Sequence, residues 1–119
     1  MKRINISVAL LLSIFAVNFS FAQDSLKKET IKVWGNCSNC KKHIEKAAKA
    51  AGATTANWNL DTKQLSVSYN PAKTTDVSIQ QYIAKAGYDT QDFYGDDIAY
   101  KKLDACCKYA RKKPADKTQ

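Results

Sequence analysis

The chain has 119 residues and a formal net charge of +8 at pH 7, which allows one small domain with flanking segments. The positive charge is spread over several stretches and is not interleaved with an aromatic platform, so nucleic acid is a poor candidate as a partner. We therefore expect a small basic protein whose lysines lie mainly on solvated faces.

The first 22 residues have the pattern of a cleaved secretory signal peptide. A basic start at Met1–Arg3 precedes an apolar run over 4–17, and small residues stand at Ser20 and Ala22, just before the expected cleavage point. The alternative is a membrane anchor, but polar residues interrupt the run, which is shorter than the ~20 apolar residues that a span needs. We predict a cleaved signal over 1–22 and a periplasmic or secreted protein.

Residues 30–93 alternate between strand and helix patterns. The predicted elements are a strand over 30–34, a helix from Ser38 or Asn39 to Ala51, a hairpin of strands over 53–60 and 64–69, a helix from Thr74 or Thr75 to Ala86, and a strand over 88–93. The order β-α-β-β-α-β over 29–93 predicts an α+β, ferredoxin-like sandwich: four antiparallel strands with both helices on one face.

Residues 94–119 read as a separate C-terminal piece. The acidic pair Asp96 and Asp97 suits a helix start. An apolar stripe follows at helical spacing: Ile98, Tyr100, Leu103, Cys107 and Ala110. We predict a helical extension that carries two cysteines and ends in a polar tail over 111–119.

The cysteines form two tight pairs, Cys37 with Cys40 and Cys106 with Cys107. In an exported protein an even number of cysteines suggests disulfides. However, closing such short loops removes little entropy from the unfolded chain, so cross-linking is a weak explanation. The layout favours metal or redox chemistry.

Cys37 and Cys40 stand at C-x-x-C spacing where the first strand meets the first helix. Two thiolates are soft ligands that suit Cu(I), and for the same reason Ag(I) or Hg(II). The helix N-terminus favours the Cys40 thiolate. A closed structural zinc site needs four ligands, so the pair alone indicates a transferable soft ion.

The role of Cys106 and Cys107 is open at this point. Adjacent residues on a helix diverge by about 100°, so both reach one ion only where the backbone is irregular. They either fold back to give Cys37 and Cys40 a third or fourth sulfur, or form a separate site, or leave Cys107 as a small core residue. His43 is a surface residue or an additional ligand.

The element order, with C-x-x-C between the first strand and first helix, resembles the heavy-metal-associated domain. The resemblance covers 29–93 and rests on Gly35–Cys40, on the helix over 41–51 and on Ala86–Asp89. This family includes copper chaperones, periplasmic mercuric-ion binding proteins and domains of metal-pumping ATPases. It implies that Tyr88 lies close to the metal loop. The family usually has a methionine two residues before the first cysteine. Here that position is Gly35, which predicts a loop that is more mobile or is packed by Trp34.

We interpret the chain as a monomeric, non-enzymatic, exported carrier or scavenger of Cu(I), with Cys37, Cys40, Cys106 and Cys107 as metal-binding candidates. The resemblance implies a metal-transporting ATPase or another metal-binding domain as partner, with the metal handed on by thiolate exchange. One alternative is a thiol-disulfide oxidoreductase, because C-x-x-C before a helix is also the thioredoxin-like layout. Another is a Hg(II) or Zn(II) protein with a four-cysteine site. A third function, compatible with the first, is docking through the basic helix face formed by Lys41, Lys42 and Lys46.

Overall fold

The computed structural model describes residues 25–114, so the predicted signal peptide lies outside the described residues. The elements are β1 (Lys27–Lys32), α1 (Ser38–Ala50), β2 (Thr55–Trp58), β3 (Gln64–Tyr69), α2 (Asp76–Lys85), α3 (Asp97–Lys101) and a 3-10 turn (Ala105–Cys107). The sheet is antiparallel with the order β1-β3-β2. None of the helices in this part of the chain is long and apolar enough to cross a bilayer.

One row of side chains across the sheet shows how the strands and helices share a core. Ile31 of β1 and Trp58 of β2 both pair with Leu65 of β3, and all three are buried. Such a row is the unit by which neighbouring strands stabilise each other and cover one face of a sheet. The predicted hairpin and the α+β, ferredoxin-like class are therefore confirmed.

Helix α1 buries a narrow stripe and exposes Lys42, Lys46 and Lys49. Cys40, Ile44 and Ala48 recur every four residues and are fully buried, as expected for a helix packed on a sheet by one face. The helix begins at Ser38, as predicted, and Gly52 just beyond its end has a φ of 113°, which only glycine adopts without strain. Helix α2 begins after Thr75, whose hydroxyl accepts a hydrogen bond from the Ser78 amide.

The predicted fourth strand over 88–93 is wrong in extent. Only Thr90 makes an antiparallel bridge, with Val33, beside the end of β1. The Thr90 amide donates to the Phe93 carbonyl oxygen, and the Asp92 amide donates to the Gln80 side chain. These hydrogen bonds turn the chain away from the sheet edge, so the pairing cannot continue.

The predicted C-terminal extension is helical only in short pieces, and the single apolar stripe predicted for it is wrong. Helix α3 is five residues long, and after it the chain runs irregularly, interrupted by the 3-10 turn. Ile98 is 64% exposed, whereas Tyr109, which lies outside the predicted stripe, is buried. We call residues 103–114 the C-terminal strap, because they run past the start of helix α1, where Cys106 and Cys107 lie beside Asn39 and Cys37.

The strap is held by a buried carboxylate rather than by regular structure. Asp89 accepts hydrogen bonds from the Arg111 guanidinium (2.8 Å to each oxygen) and from the Lys112 amide. The Tyr109 hydroxyl donates to the Gly87 carbonyl oxygen and accepts from the Asp89 amide. Arg111 and Lys112, predicted to belong to a polar tail, are therefore part of the folded domain.

Candidate metal centre

Cys37 and Cys40 are brought together by the start of helix α1. Cys37 is the N-cap residue, and its sulfur accepts a hydrogen bond from the Cys40 amide at 3.4 Å. The two sulfurs lie 3.2 Å apart, and both cysteines are free thiols. Cys40 is fully buried, whereas Cys37 is half-buried. The local sequence thus places both predicted ligands in one pocket.

The loop before Cys37 is packed by Trp58 and not, as predicted, by Trp34. A Cβ atom at Gly35 would lie 2.9 Å from the Trp58 ring and 3.2 Å from the Cys40 Cβ. The Trp58 indole is buried and donates to the Val33 carbonyl oxygen. Trp34 is half-buried, with the Lys32 amine 4.6 Å from its ring centre. A large indole therefore occupies the space beneath the loop and leaves room only for glycine at 35.

The strap adds a third sulfur to the pair. The Cys107 sulfur lies 3.4 Å from the Cys37 sulfur, and the sulfurs of Cys37, Cys40 and Cys107 all lie within 4.8 Å of one another. Cys107 is fully buried. The extension therefore folds back onto the C-x-x-C loop, where Cys107 is also part of the buried core.

Cys106 lies beside this group and not within it. A 3-10 helix has about three residues per turn, so neighbouring side chains diverge widely. Cys107 turns inward, and Cys106 is exposed with its sulfur 3.8 Å from that of Cys107. The side-chain Nδ2 of Asn39 donates to the Cys106 sulfur at 3.4 Å.

The spacing of the three sulfurs suits a three-coordinate soft ion. With metal–sulfur bonds of roughly 2.3 Å, as for zinc thiolates, a trigonal plane would separate the sulfurs by about 4 Å, and a linear pair by about 4.6 Å. The Cys37–Cys40 and Cys37–Cys107 separations are shorter than either value, and the whole group lies within 4.8 Å. The triangle needs only a small expansion to hold an ion at its centre.

The thiols differ in how readily they ionise. Burial alone would raise the pKa of Cys40. Hydrogen bonds from the backbone at Asn36 and Cys37, and from the side chains of Cys37 and Cys107, outweigh the effect of burial, so the pKa of Cys40 lies below its usual value. Burial, followed by the neighbouring cysteines, raises the pKa of Cys107 far above its usual value. Cys40 is therefore the favoured thiolate, and Cys107 the thiol that faces it.

Tyr88 and His43 form the wall of the site on the side of helix α2. Tyr88 is fully buried, its hydroxyl lies 2.8 Å from His43 Nδ1, and its ring stacks on Tyr109. Burial, with smaller contributions from Cys40 and Cys107, raises the pKa of Tyr88 well above its ordinary value, so the phenol stays neutral. Tyr88 thus lies where the resemblance places it. Among the described residues, His43 is not part of the three-sulfur group and contacts it only through Tyr88.

The proposed basic docking face is only partly available. The Lys41 amine donates to Glu45, to the Asn57 side chain and to the Trp58 carbonyl oxygen, so it braces helix α1 against β2. Lys42 and Lys46 are exposed.

An α+β fold with a thiol pair where the first strand leads into the first helix defines a class of small metal-binding domains. The Heavy-metal-associated domain family matches residues 36–89. The copper chaperone CopZ of Staphylococcus epidermidis is 35% identical over 68 residues, which cover 56% of this chain and the whole of that protein. The chain therefore belongs to the heavy-metal-associated domain family. The family match ends before the strap, so Cys107 lies outside it.

Two further comparisons place the domain in wider contexts. A copper-exporting P-type ATPase of Bacillus subtilis is 45% identical over 53 residues, which cover 44% of this chain but only 7% of the ATPase. The crystal structure of oxidized MerP from Ralstonia metallidurans has a TM-score of 0.52 and 28% identity, with 56% of this chain and 94% of MerP covered. The same domain thus occurs as a free protein and as a small part of a transporter.

Proposed function

We propose that this protein binds one Cu(I) ion through Cys37, Cys40 and Cys107 and carries it between partners. The observation that supports the proposal best is the three-sulfur triangle, whose members lie within 4.8 Å of one another. Soft thiolates select Cu(I) over harder ions. The relatives named above, a copper chaperone and a copper-exporting ATPase, agree with that choice of metal.

The sulfur count favours a carrier over a zinc protein. A structural zinc site uses four ligands in a tetrahedron. Within the described residues the group holds three, and Cys106 is exposed at its rim. In this proposal the third sulfur strengthens Cu(I) binding, and exchange with a partner proceeds by an incoming thiolate that replaces one sulfur at a time. We therefore propose a carrier or scavenger without enzymatic activity, active as a monomer.

We further propose that the protein works outside the cytoplasm, because residues 1–22 have the features of a cleaved signal peptide. Its exchange partner in this proposal is another thiol-bearing domain, such as the metal-binding domain of a membrane copper ATPase. The same domain is found within such an ATPase, which supports an exchange between two similar sites. Protease protection of the protein in intact cells tests the compartment: the processed form should be degraded once the outer envelope is opened, and a cytoplasmic protein would survive.

A Cu(I) titration tests the metal assignment. The reduced protein is titrated without oxygen against a chromophoric Cu(I) chelator. The Cys37→Ser, Cys40→Ser double variant should lose binding, and Cys107→Ser should bind measurably more weakly than wild type. Ala105→Ser, on the same 3-10 turn and exposed, is the matched control and should bind like wild type. Wild-type affinity in the double variant would contradict the proposal.

A further inference from the structure

The three-sulfur site is poorly accessible to a donor or acceptor of copper. Cys40 and Cys107 are 0% exposed, and Cys37 is half-buried beneath the strap. Thiolate exchange requires the incoming ligand to contact the metal before an old ligand leaves. A site with buried sulfurs therefore exchanges slowly unless one further sulfur reaches the surface.

Cys106 is such a sulfur. It is exposed and lies 3.8 Å from the Cys107 sulfur, which in turn lies 3.4 Å from Cys37. The four sulfurs thus form a continuous series from solvent to the buried Cys40. The Asn39 side chain donates to the Cys106 sulfur. This hydrogen bond holds the Cys106 thiol beside the first turn of helix α1, next to the site.

We propose that Cys106 is the exchange ligand of the site: the first sulfur to bind incoming copper and the last to release it. This inference depends on the proposed Cu(I) function. In the first step a Cu–S bond forms to Cys106 while one bond from the donor to copper breaks, and the Cys106 proton passes to water. Copper then forms bonds to Cys107 and the loop cysteines as the remaining donor bond and the Cys106 bond break. Each thiol that becomes a ligand releases its proton to water, and the freed Cys106 thiolate takes up a proton. Copper remains Cu(I) throughout, and no electron is transferred.

The position of Cys106 separates this role from that of a fourth permanent ligand. Among the cysteines its sulfur has a close contact only with Cys107, and it is absent from the group that lies within 4.8 Å. A residue that lowers the barrier without holding the ion changes both rates equally and leaves the affinity unchanged.

The test is stopped-flow transfer of Cu(I) to and from a chromophoric chelator, alongside the equilibrium titration. Cys106→Ser should slow both directions about tenfold, which corresponds to ~1.4 kcal/mol of barrier, with an unchanged dissociation constant. Cys106→Met keeps a soft sulfur and should recover part of the rate. Asn39→Ala should give a smaller slowing, and Ala105→Ser none.

The possible outcomes separate the exchange role of Cys106 from the proposed Cu(I) binding on which it depends. If wild type binds Cu(I) and Cys106→Ser exchanges at the wild-type rate, the exchange role is wrong and the proposed function stands. If Cys106→Ser weakens binding and lowers the sulfur count, Cys106 is a permanent ligand and the inference is also overturned. If wild type does not bind Cu(I), both fail.

Discussion

The C-x-x-C loop and the C-terminal strap supply sulfurs to the same site by different physical means. In the loop, Cys37 caps helix α1 and Cys40 lies one turn later, so a few adjacent residues determine their approach. In the strap, Cys107 is separated from Cys37 by 70 positions, and its place depends on tertiary contacts at Asp89. The loop pair should therefore keep its geometry in variants that release the strap.

The largest expected effect is at the carboxylate that holds the strap. Asp89→Ala leaves the partly buried Arg111 without its main partner and removes an acceptor for the Lys112 amide. We expect a loss of about 3–5 kcal/mol in the free energy of unfolding, as for other broken buried ion pairs. Urea denaturation measures it.

The same variant distinguishes the strap from the loop in copper binding. If it remains folded at low temperature, its Cu(I) affinity should fall to that of Cys107→Ser and no further, because Cys37 and Cys40 keep their local geometry. Asp97→Ala is the control, since Asp97 is a mostly exposed partner of the same Arg111. A variant of Asp89 with wild-type affinity would show that the strap stays closed without this anchor.

Acid should release the strap through the same residue. Burial alone would raise the pKa of Asp89, but hydrogen bonds from Arg111, Lys112 and Gly95 hold it below its usual value. A depressed folded pKa means that this contribution to stability is fully present above the unfolded value of about 3.9 and is lost as the pH falls through the folded pKa. The midpoint temperature of thermal unfolding should therefore fall less steeply between pH 7 and pH 2 for Asp89→Asn than for wild type. Parallel curves of midpoint against pH would contradict this.

Packing beneath the loop should give an intermediate effect. The Cβ atom added by Gly35→Ala would meet Trp58 at 2.9 Å, so we expect a destabilisation of about 1–3 kcal/mol from overpacking. In a Trp58→Phe background, Gly35→Ala should lower the free energy of unfolding by a smaller amount, because the smaller ring leaves space for the added Cβ atom. A double-mutant cycle of denaturation curves measures this coupling, and additive effects would show that the indole does not limit position 35.

The smallest effect is expected far from the site. Thr75→Ala removes the hydroxyl that accepts from the Ser78 amide at the start of helix α2 and should cost about 1 kcal/mol. Its Cu(I) affinity should equal that of wild type. A weaker affinity would mean that the site depends on the global stability of the domain and not on the loop and strap alone.

Local sequence signals predicted most of the loop region and little of the strap. The spacing of Cys40, Ile44 and Ala48 fixes the buried face of α1, and alternation around Leu65 predicts the hairpin, because these periodicities follow directly from helix and strand geometry. The strap has no such period. Its course depends on Asp89 and Tyr109, whose partners are distant in sequence, so the helical stripe through Ile98 was the wrong expectation.

The two cysteines of the strap also show what the sequence could not predict, namely which of them faces the site. The sequence identified both Cys106 and Cys107 as candidates but did not distinguish them. The 3-10 turn does so, because its neighbouring side chains diverge: the Cys107 side chain is buried and that of Cys106 is exposed. A Gly-Tyr-Asp stretch beside the loop was the available signal for Tyr88, whereas the role of Asp89 became apparent only with the strap in place.

The number of sulfurs bound to copper shows whether the strap supplies a ligand to the metal. X-ray absorption on the Cu(I)-loaded protein should give three sulfur neighbours for wild type, three for Cys106→Ser and two for Cys107→Ser. Two sulfurs in wild type, unchanged by Cys107→Ser, would contradict the account and leave the loop as a two-thiolate site that the strap merely covers.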